Sequence, residues 1–181
     1  MAELILRPLA AADEAAARQA NAELAVEGFE FLLRFRANEP WSMYLARLAR
    51  FRAGVDLRAG IVPATFLVAE VDGVLIGRLD VRHELNERLR LLGGHLGYAV
   101  RPAHRRLGHA TRILAQGLHL AAGLGIDPAL LTCDDDNAGS IRTIEGCGGV
   151  LRDVLPAGDG PVKRRYWVST GSVACSDSAA R

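Results

Sequence analysis

The stretch GYAVRPAHRRLGHATRIL, from Gly97 to Leu114, decides the fold of this chain. It begins with a short apolar run typical of a strand, passes through Pro102 and a basic loop, and ends in an amphipathic helix. A helix N-terminus carries backbone N–H groups without intrahelical partners and the positive end of the helix dipole. Because Gly108 lacks a Cβ, the loop can approach and hold an anion such as a pyrophosphate.

The loop alone does not identify its ligand. An ordinary strand-to-helix connection with solvated arginines explains Arg105–Ala110 equally well. Two better-known phosphate-binding signatures, GxxxxGK[ST] and GxGxxG between a strand and a helix, do not occur in the sequence. The rest of the chain must therefore decide between these two interpretations.

The segments near the N-terminus predict one strand and two helices. ELILRPL is a strand candidate, and the Ala-rich run after it predicts a helix with Asp13 as N-cap and Gly28 as its stop. A second helix is expected from Pro40 to Gly54. Its apolar stripe consists of Trp41, Tyr44, Leu45 and Leu48. The segment EGFEFLLRFRANEP between the two helices is expected to wall one side of the site.

The remaining segments complete a mixed α/β pattern. ATFLVAEVDG and VLIGRLDVRHEL are two strands joined at Asp72-Gly73, which is a hairpin signal. After the opening stretch follow a buried strand in ALLTC, a short helix in NAGSIRTIEG, and closing strands in GVLRDVL and VKRRYWVST. The order β-α-α-β-β-β-α-β-α-β-β predicts a mixed, largely antiparallel sheet flanked by helices.

Length and composition predict one domain over residues 1–170 and a disordered Ser- and Ala-rich tail over residues 171–181. A net charge of +1 gives no long-range electrostatic argument for nucleic acid or for an anionic membrane. Cys133, Cys147 and Cys175 are too few and too scattered to predict a disulfide framework. Without a signal sequence or an apolar run of spanning length, we expect a reduced, cytoplasmic protein.

Two motifs resemble the GNAT superfamily of N-acetyltransferases. The first family motif, [RQ]-x-x-G-x-[GA] at a helix start, is matched by Arg105, Gly108 and Ala110. The second, N-x-x-[SA]-x-x-x-x-E-x-x-G, is matched by Asn137, Ser140, Glu145 and Gly148. RHELN, GGHLGYAVRP and RYWV further resemble an uncharacterised bacterial branch of predicted acetyltransferases. The resemblance covers most of Glu3 to Val168.

The resemblance implies that acetyl-CoA binds as co-substrate in a cleft where two central strands separate. The pantetheine arm would pair with the strand around Tyr98, the pyrophosphate would take the N–H groups that open the next helix, and no metal is expected. The implied cofactor-binding residues are Tyr98, Ala99, Val100, Arg105, Arg106, Leu107, Gly108, His109, Ala110, Thr111, Asn137 and Ser140.

The resemblance also implies acyl transfer from the thioester to a primary amine of a small molecule or of a peptide N-terminus. The N–H of Val100 is the expected donor to the tetrahedral oxyanion. No covalent enzyme intermediate is required, so Cys147 is expected to be a structural thiol. The alternative is a non-catalytic module that binds or senses CoA on the same fold.

Two residues are candidates for the general base. An alkylammonium with a pKa near 10 is about three units from neutrality at pH 7, so freeing its lone pair costs roughly 4 kcal/mol. In RHELN, strand alternation places Glu84 and Asn86 on the face opposite His83. His95, just before LGYAV, is the second candidate. An exposed strand-end Glu and a structural His explain them too; we favour Glu84, because Asn86 could orient it.

The general acid is less clear from the sequence. Family members often use a Tyr in the last helix to protonate the CoA thiolate, and Ile144 occupies that position here. Either Tyr166 on the closing strand or water would then supply the proton. The missing Tyr is the feature that keeps the non-catalytic interpretation open.

The expected partner is a small-molecule or peptide amine, without nucleic acid or membrane, and with a homodimer among the expected assemblies. The acidic run from Asp134 to Asp136 could draw a cationic acceptor such as a polyamine or an aminoglycoside into the cleft. It could equally cap the following helix and compensate its dipole. Ser140 with Glu145 is similar to branches that modify protein N-termini.

Overall fold

The computed structural model describes residues 2–157, 160–171 and 175, and it confirms the predicted α/β order. Short 3₁₀ turns cover Ala11–Asp13 and Pro102–His104, and a π-helical turn covers Leu89–Gly93. The elements are β1 (Leu4–Arg7), α1 (Glu14–Ala25), α2 (Trp41–Ala53), β2 (Ala64–Val71), β3 (Val74–Arg82), β4 (Leu96–Val100), α3 (His109–Gly123), β5 (Ala129–Asp134), α4 (Ala138–Gly146), β6 (Val150–Ala157) and β7 (Gly160–Val168). Apart from Gly171 and Cys175, the predicted tail lies outside the described residues.

The start of α1 differs from the prediction in one detail. Asp13 stands at the N-cap position, but its side chain makes no capping hydrogen bond to the helix. Its carboxylate accepts the Ala10 N–H at 2.7 Å and pairs with Arg7, also at 2.7 Å. The Asp13 carboxylate therefore closes the preceding 3₁₀ turn and ties it to β1. The prediction missed this role because it considered only the residues that follow Asp13 in the helix.

The first four strands form one antiparallel sheet in the order β1-β2-β3-β4. β2 and β3 are joined through Asp72 and Gly73, at φ 49° and 77°. A type I′ hairpin turn requires positive φ at both central residues, so the predicted hairpin is confirmed. β3 lies between β2 and β4, which places its side chains in the middle of the sheet.

The last three strands form a second antiparallel sheet in the order β5-β7-β6. The two sheets meet where β4 and β5 begin. The His95 N–H donates to the Leu130 carbonyl at 2.6 Å, and the Leu130 N–H donates to His95 Nδ1 at 2.9 Å. Gly94 leaves no room for a Cβ against the Leu130 carbonyl. Past this junction β4 and β5 belong to separate sheets.

Helices cover both faces of the sheet. α3 and α4 pack on one face around Leu79, Ile113 and Tyr166, and α1, α2 and residues 29–35 pack on the other around Phe66 and Tyr44. Trp41, Tyr44 and Leu48 of the predicted α2 stripe are buried, and Leu45 is partly buried. No helix in the described part of the chain is long and apolar enough to cross a membrane.

The cysteines differ from the prediction. Cys147, at the end of α4, forms a disulfide with Cys175, 28 residues further along the chain. Cys133 on β5 is free and buried, and burial raises the pKa of its thiol to about 11. The expectation of a free structural thiol at Cys147 was wrong, because nothing in the local sequence indicates that residue 175 returns to α4.

Candidate active site

The cleft between β4 and β5 is lined on one side by the backbone of β4. In an antiparallel pair, alternate residues direct their backbone groups toward the partner strand. The Arg101 N–H donates to the Ile76 carbonyl of β3 at 2.9 Å. The backbone groups of Ala99, two residues earlier, therefore also face β3. The backbone groups of Tyr98 and Val100 consequently face the cleft. Both of these predicted pantetheine contacts thus have an N–H that no neighbouring strand in the described part of the chain binds, while the Val100 carbonyl accepts a hydrogen bond from a side chain described below.

The loop before α3 presents several backbone N–H groups at the end of the same strand. Arg106 and Gly108 both adopt left-handed conformations, with φ of 63° and 74°. The first hydrogen bond of this turn runs from the Arg112 N–H to the Gly108 carbonyl at 3.2 Å. The N–H groups before Arg112 have no acceptor within the helix. Alternating handedness of this kind makes a concavity of N–H groups that suits an anion.

Arg105 is oriented by Glu27, which lies two residues after α1, a contact that the sequence did not predict. Its guanidinium donates to both carboxylate oxygens of Glu27, at 2.9 and 2.6 Å, and to the Val100 carbonyl at 3.0 Å. One turn earlier on α1, Glu23 binds Arg101 in the same bidentate way. The Arg105 side chain therefore holds the loop against β4 and α1 and does not extend into the anion concavity.

His109 opens α3 inside the predicted phosphate site. Its Nδ1 is buried without a hydrogen-bond partner among the described residues. Burial and the nearby Arg112 lower its pKa below the ordinary value, so the ring is neutral at pH 7. His109 can donate or accept a hydrogen bond there, but it brings no positive charge. Among the described residues, no group of three or more His, Cys, Asp or Glu is placed to hold a metal ion.

The second motif begins α4. Asn137 is its N-cap, and Asn137 Oδ1 accepts the Ser140 N–H at 3.0 Å. The amide nitrogen of Asn137 points away from this bond and remains a donor. The pairing of these two predicted cofactor residues is thus a helix cap as well, which explains their spacing of three residues.

The predicted base His95 has a structural task at the junction of the sheets. Its Nδ1 accepts the Leu130 N–H, so a neutral ring carries its proton on Nε2. Burial, with Arg82 and Arg90 nearby, lowers its pKa to about 4. At neutral pH the ring therefore has no free lone pair in this arrangement.

The other predicted base, Glu84, lies exposed just after β3. Asn86 does not orient it, because the Asn86 side chain is bound elsewhere. Its amide nitrogen donates to the Gly60 carbonyl at 2.9 Å, and its oxygen accepts the Leu89 N–H at 2.9 Å. Asn86 therefore fixes the path of the segment between β3 and β4, and Glu84 is free to face a ligand.

The predicted general acid Tyr166 lies in the core beside α4. Its hydroxyl donates to Glu145 Oε1 at 3.1 Å, and burial raises its pKa above the ordinary value. Ile144, at the family's usual Tyr position, is 1% exposed. Tyr166 therefore keeps its proton at neutral pH, held toward the helix that carries the second motif.

A cavity of about 510 Å³ lies over β2 and β3, on the face of the sheet that α1 and α2 cover. Its walls are the segment between α1 and α2, the end of α2, the loop before β2 and the segment between β3 and β4. Its charged lining residues are Glu30, Arg34, Asp80, Arg82 and Arg88. The segment EGFEFLLRFRANEP thus contributes to a cavity wall, whereas the charged floor was not predicted.

The floor of this cavity is a buried ion cluster on β3. Asp80, which is 0% exposed, pairs with Arg78 and with Arg82, the latter at 2.9 Å. Arg78 also donates to the Glu30 carbonyl at 3.3 Å, and Arg82 donates to the Gly93 carbonyl at 2.9 Å. The cluster thereby links β3 to the segment between α1 and α2 and to the segment between β3 and β4. Three charges at a spacing of two in an apolar strand were the signal that could have revealed it.

The acidic loop after β5 is neutralised by β7. Asp134 pairs with Lys163, and Asp135 pairs with Arg164 at 2.6 Å. Neither of the two interpretations of CDDDN anticipated these cross-strand pairs, because they depend on the β5-β7 register. Two of the three carboxylates are therefore already paired.

Several solved structures resemble this chain, all at identities that show the fold alone. The putative acetyltransferase yncA of Salmonella typhimurium, solved with acetyl-CoA, is 18% identical with a TM-score of 0.62, over 96% of this chain and 98% of that one. Mycobacterium smegmatis RimJ, in complex with CoA-disulfide, is 21% identical with a TM-score of 0.66, over 92% and 81%. A spermidine N-acetyltransferase SpeG chimera from Vibrio cholerae and hSSAT is 19% identical with a TM-score of 0.61, over 92% and 95%.

The family assignment comes from the sequence itself. No curated protein matches the chain. The sequence model of the acetyltransferase (GNAT) family matches residues 20–148, which is more than half of the chain and includes the loop before α3 and all of α4. The chain therefore belongs to the GNAT family and is an acetyltransferase.

Proposed function

We propose that this protein transfers the acetyl group of acetyl-CoA directly to a primary amine of a small molecule or of a peptide N-terminus. The observation that carries the proposal is the cleft-facing edge of β4 at Tyr98 and Val100, which ends at the N–H groups before α3. An extended, amide-containing pantetheine arm can pair with such an edge as an added strand. Its pyrophosphate then reaches the loop.

The loop supplies enough hydrogen bonds to hold a pyrophosphate without a Lys. Charge-assisted hydrogen bonds contribute roughly 1.5–3 kcal/mol each, and three or four N–H groups between Arg106 and Thr111 are available. We assign Arg105 the task of holding the loop, since Glu27 already binds its guanidinium. Asn137 keeps its amide nitrogen for the pantetheine arm, because its oxygen caps α4.

The proposed reaction has no covalent enzyme intermediate. The neutral amine attacks the thioester carbonyl carbon, and the Val100 N–H donates to the oxyanion that forms. The C–S bond then breaks, the nitrogen gives up one proton to water, and the CoA thiolate takes up one proton, so that the amide and free CoA leave with the protons of the neutral reactants. Tyr166 or water supplies that proton, and the raised pKa of Tyr166 means that it holds one to give.

The amine must first lose a proton, and we propose Glu84 as the base. Two observations support Glu84 over His95. Glu84 is exposed just after β3, two residues before Asn86, where the segment begins to line the cavity. The lone pair on Nδ1 of the neutral His95 ring already accepts the Leu130 N–H, so it cannot take a proton from the amine. The pKa of the ring is also low, at about 4.

An assay of CoA release tests the proposal. The purified protein is incubated with acetyl-CoA and a panel of primary amines, amino acids and short peptides, and the released thiol is followed while mass spectrometry detects acetylated acceptor. We expect thiol release that depends on one or more amines and on the acceptor concentration. Acetyl-CoA that binds, as measured by calorimetry, without amine-dependent release across the panel would overturn the proposal.

A further inference from the structure

We propose that the acceptor amine also carries an anionic group, a carboxylate or a phosphate, which the arginines of the cavity bind. This inference rests on the proposed function and names its substrate class. It concerns the cavity of about 510 Å³ over β2 and β3, whose floor carries Asp80. The argument depends on which charges in this cavity are already paired.

The charges at the rim are unpaired. Within the described part of the chain, neither Arg34 nor Arg88 has an ion-pair partner or a side-chain hydrogen bond, and the Glu30 carboxylate also has none. All three residues are exposed and line the cavity. The rim thus offers two free guanidinium groups and one free carboxylate.

The charged residues at the floor of the cavity make its net charge more positive. Asp80 is shared by Arg78 and Arg82, so this buried cluster carries one carboxylate and two guanidinium groups. Asp80 therefore cannot attract a cationic ligand, because its charge is already more than compensated. The electrostatic potential of rim and floor together favours an anion.

Arginine is also the side chain whose geometry suits such a group. Its planar guanidinium binds a carboxylate or a phosphate through two parallel hydrogen bonds. Arg34 is held at φ 54°, a left-handed conformation that is uncommon for a bulky residue. The turn between α1 and α2 thus places Arg34 at the rim of the cavity. Glu30 can meanwhile offer a counter-charge to the ammonium of an incoming zwitterion.

The same observations disfavour a polyamine. A polyamine brings only positive charge to a cavity with an excess of arginine. The acidic loop that could have attracted it is paired, Asp134 with Lys163 and Asp135 with Arg164. The fold likeness to a spermidine N-acetyltransferase therefore does not extend to the charges that such a substrate would need.

The size of the cavity favours a small molecule. Ligand sites for small molecules typically have about 300–1,000 Å³, and the cavity has about 510 Å³. In a peptide, the α-carboxylate next to the amine is converted to an amide, so the group that the arginines would bind is missing. A free amino acid or an aminoalkyl phosphate meets both requirements.

Matched acceptor pairs test the inference. Methionine is compared with methioninamide, phenylalanine with phenylalaninamide, and phosphoethanolamine with ethanolamine, and spermidine serves as the polycation. We expect the anionic member of an accepted pair to have a kcat/KM at least about tenfold higher, as one charge-assisted contact would give. The amino acid arm and the phosphate arm separately identify which anionic group is bound.

Variants connect any such preference to the cavity. Arg34→Asn suits the left-handed conformation and removes the charge, and Arg88→Gln removes the second guanidinium. Each should raise KM for the anionic acceptor about tenfold, with little effect on the neutral partner or on the Kd for acetyl-CoA. Arg50→Gln, on an exposed arginine of α2 that does not line the cavity, is the matched control and should change nothing.

The outcomes separate this inference from the proposed function. Equal or better kcat/KM for the amides, for ethanolamine or for spermidine overturns the inference and leaves amine acetylation standing. An anionic preference that survives in both arginine variants also overturns it. Acetyl-CoA binding without transfer to any acceptor overturns the proposed function and the inference with it.

Discussion

The proposed cofactor side and the proposed acceptor side of the site are built from different parts of the chain. On the cofactor side, the groups that face a ligand are backbone N–H and C=O groups of β4 and of the loop before α3. On the acceptor side, they are side chains of Glu30, Arg34 and Arg88 over a floor made by Asp80. The first surface depends on the conformation of two short segments, and the second depends on which distant segments meet.

This difference teaches where sequence change is tolerated. Most side chains can be exchanged along β4 without altering its backbone hydrogen-bonding groups, so the cofactor side persists with few fixed residues. Every charge on the acceptor side can be changed by one substitution. One fold can therefore keep its donor and vary its acceptor. The following predictions break or sharpen this contrast, from the largest expected effect to the smallest.

The proposed base should matter most. Glu84→Gln keeps the size and hydrogen-bonding reach of the side chain but removes proton acceptance, so kcat should fall by about 10²–10⁴, the usual range for general acid–base catalysis. The rate is measured with saturating acetyl-CoA and any accepted amine. Glu87→Gln, at an exposed neighbouring acid, is the control and should retain the wild-type kcat. A normal kcat in Glu84→Gln would exclude this residue as the base.

The floor of the acceptor cavity should be the most sensitive point for stability. Asp80→Asn leaves Arg78 and Arg82 buried without a counter-charge, so the free energy of unfolding should fall by about 3–5 kcal/mol. Urea denaturation measures the loss. Glu14→Gln breaks a surface pair with Arg18 and should change stability by no more than about 0.5 kcal/mol.

A second variant keeps this prediction testable if Asp80→Asn does not fold. The triple change Arg78→Met, Asp80→Leu and Arg82→Met removes all three charges together and should recover most of the lost stability. A loss below about 1 kcal/mol in Asp80→Asn would mean that Asp80 is not needed to compensate the charges of Arg78 and Arg82.

The cofactor side should respond to backbone strain. Val is disfavoured at the φ of 74° that Gly108 adopts, so Gly108→Val should shift the loop and raise the Kd for acetyl-CoA about 10- to 100-fold. Gly125→Val introduces similar strain at φ 76°, with nothing within 4 Å of its Cβ, and should leave the Kd unchanged. Calorimetry on the folded proteins decides, and wild-type affinity in Gly108→Val would remove the loop from the cofactor site.

The junction between the two sheets, at His95 and Leu130, should give a smaller, pH-dependent effect. The folded-state pKa of His95 is about 4 against an ordinary 6.5, so the unfolded chain takes up a proton first as pH falls. The free energy of unfolding should therefore decrease as pH falls from about 6.5 to about 4. His95→Asn retains an acceptor for the Leu130 N–H and removes the titration, so its stability should depend less on pH.

A second substitution at His95 distinguishes the contribution of its hydrogen bond from the effect of its titration. His95→Ala leaves the buried Leu130 N–H without an acceptor and should lose about 1–3 kcal/mol at every pH. Denaturation midpoints at several pH values compare the three proteins. A wild-type pH profile in His95→Asn would contradict the assignment of this titration to His95.

The helices and strands could be predicted because each produces a recognisable pattern in its own short stretch of sequence. The stripe on α2 and the Asp72-Gly73 turn are patterns within a few residues. The loop at Gly108 could be predicted for the same reason, since it needs a glycine at positive φ beside a helix start. The roles of the individual site residues remain predictions.

What could not be predicted depends on contacts between distant segments. Glu27 and Arg105 are 78 residues apart, and Asp134 meets Lys163 only through the β5-β7 register. The spacing of Cys147 and Cys175 likewise carries no signal of their bond. Local periodicity fixes which residues are buried, but it does not specify which partner a charge finds.

Because one edge of β4 has no neighbouring strand among the described residues, its amide hydrogens alternate between hydrogen-bonded and free along the strand. The N–H groups of Gly97 and Ala99 are bonded to β3, whereas those of Tyr98 and Val100 face the cleft. Amide hydrogens exchange with solvent when they are not held in hydrogen bonds. In the free protein, exchange should therefore alternate between slow and fast along this strand. In the proposed complex the pantetheine arm would slow the fast positions, so that the cofactor serves as the strand between the two sheets.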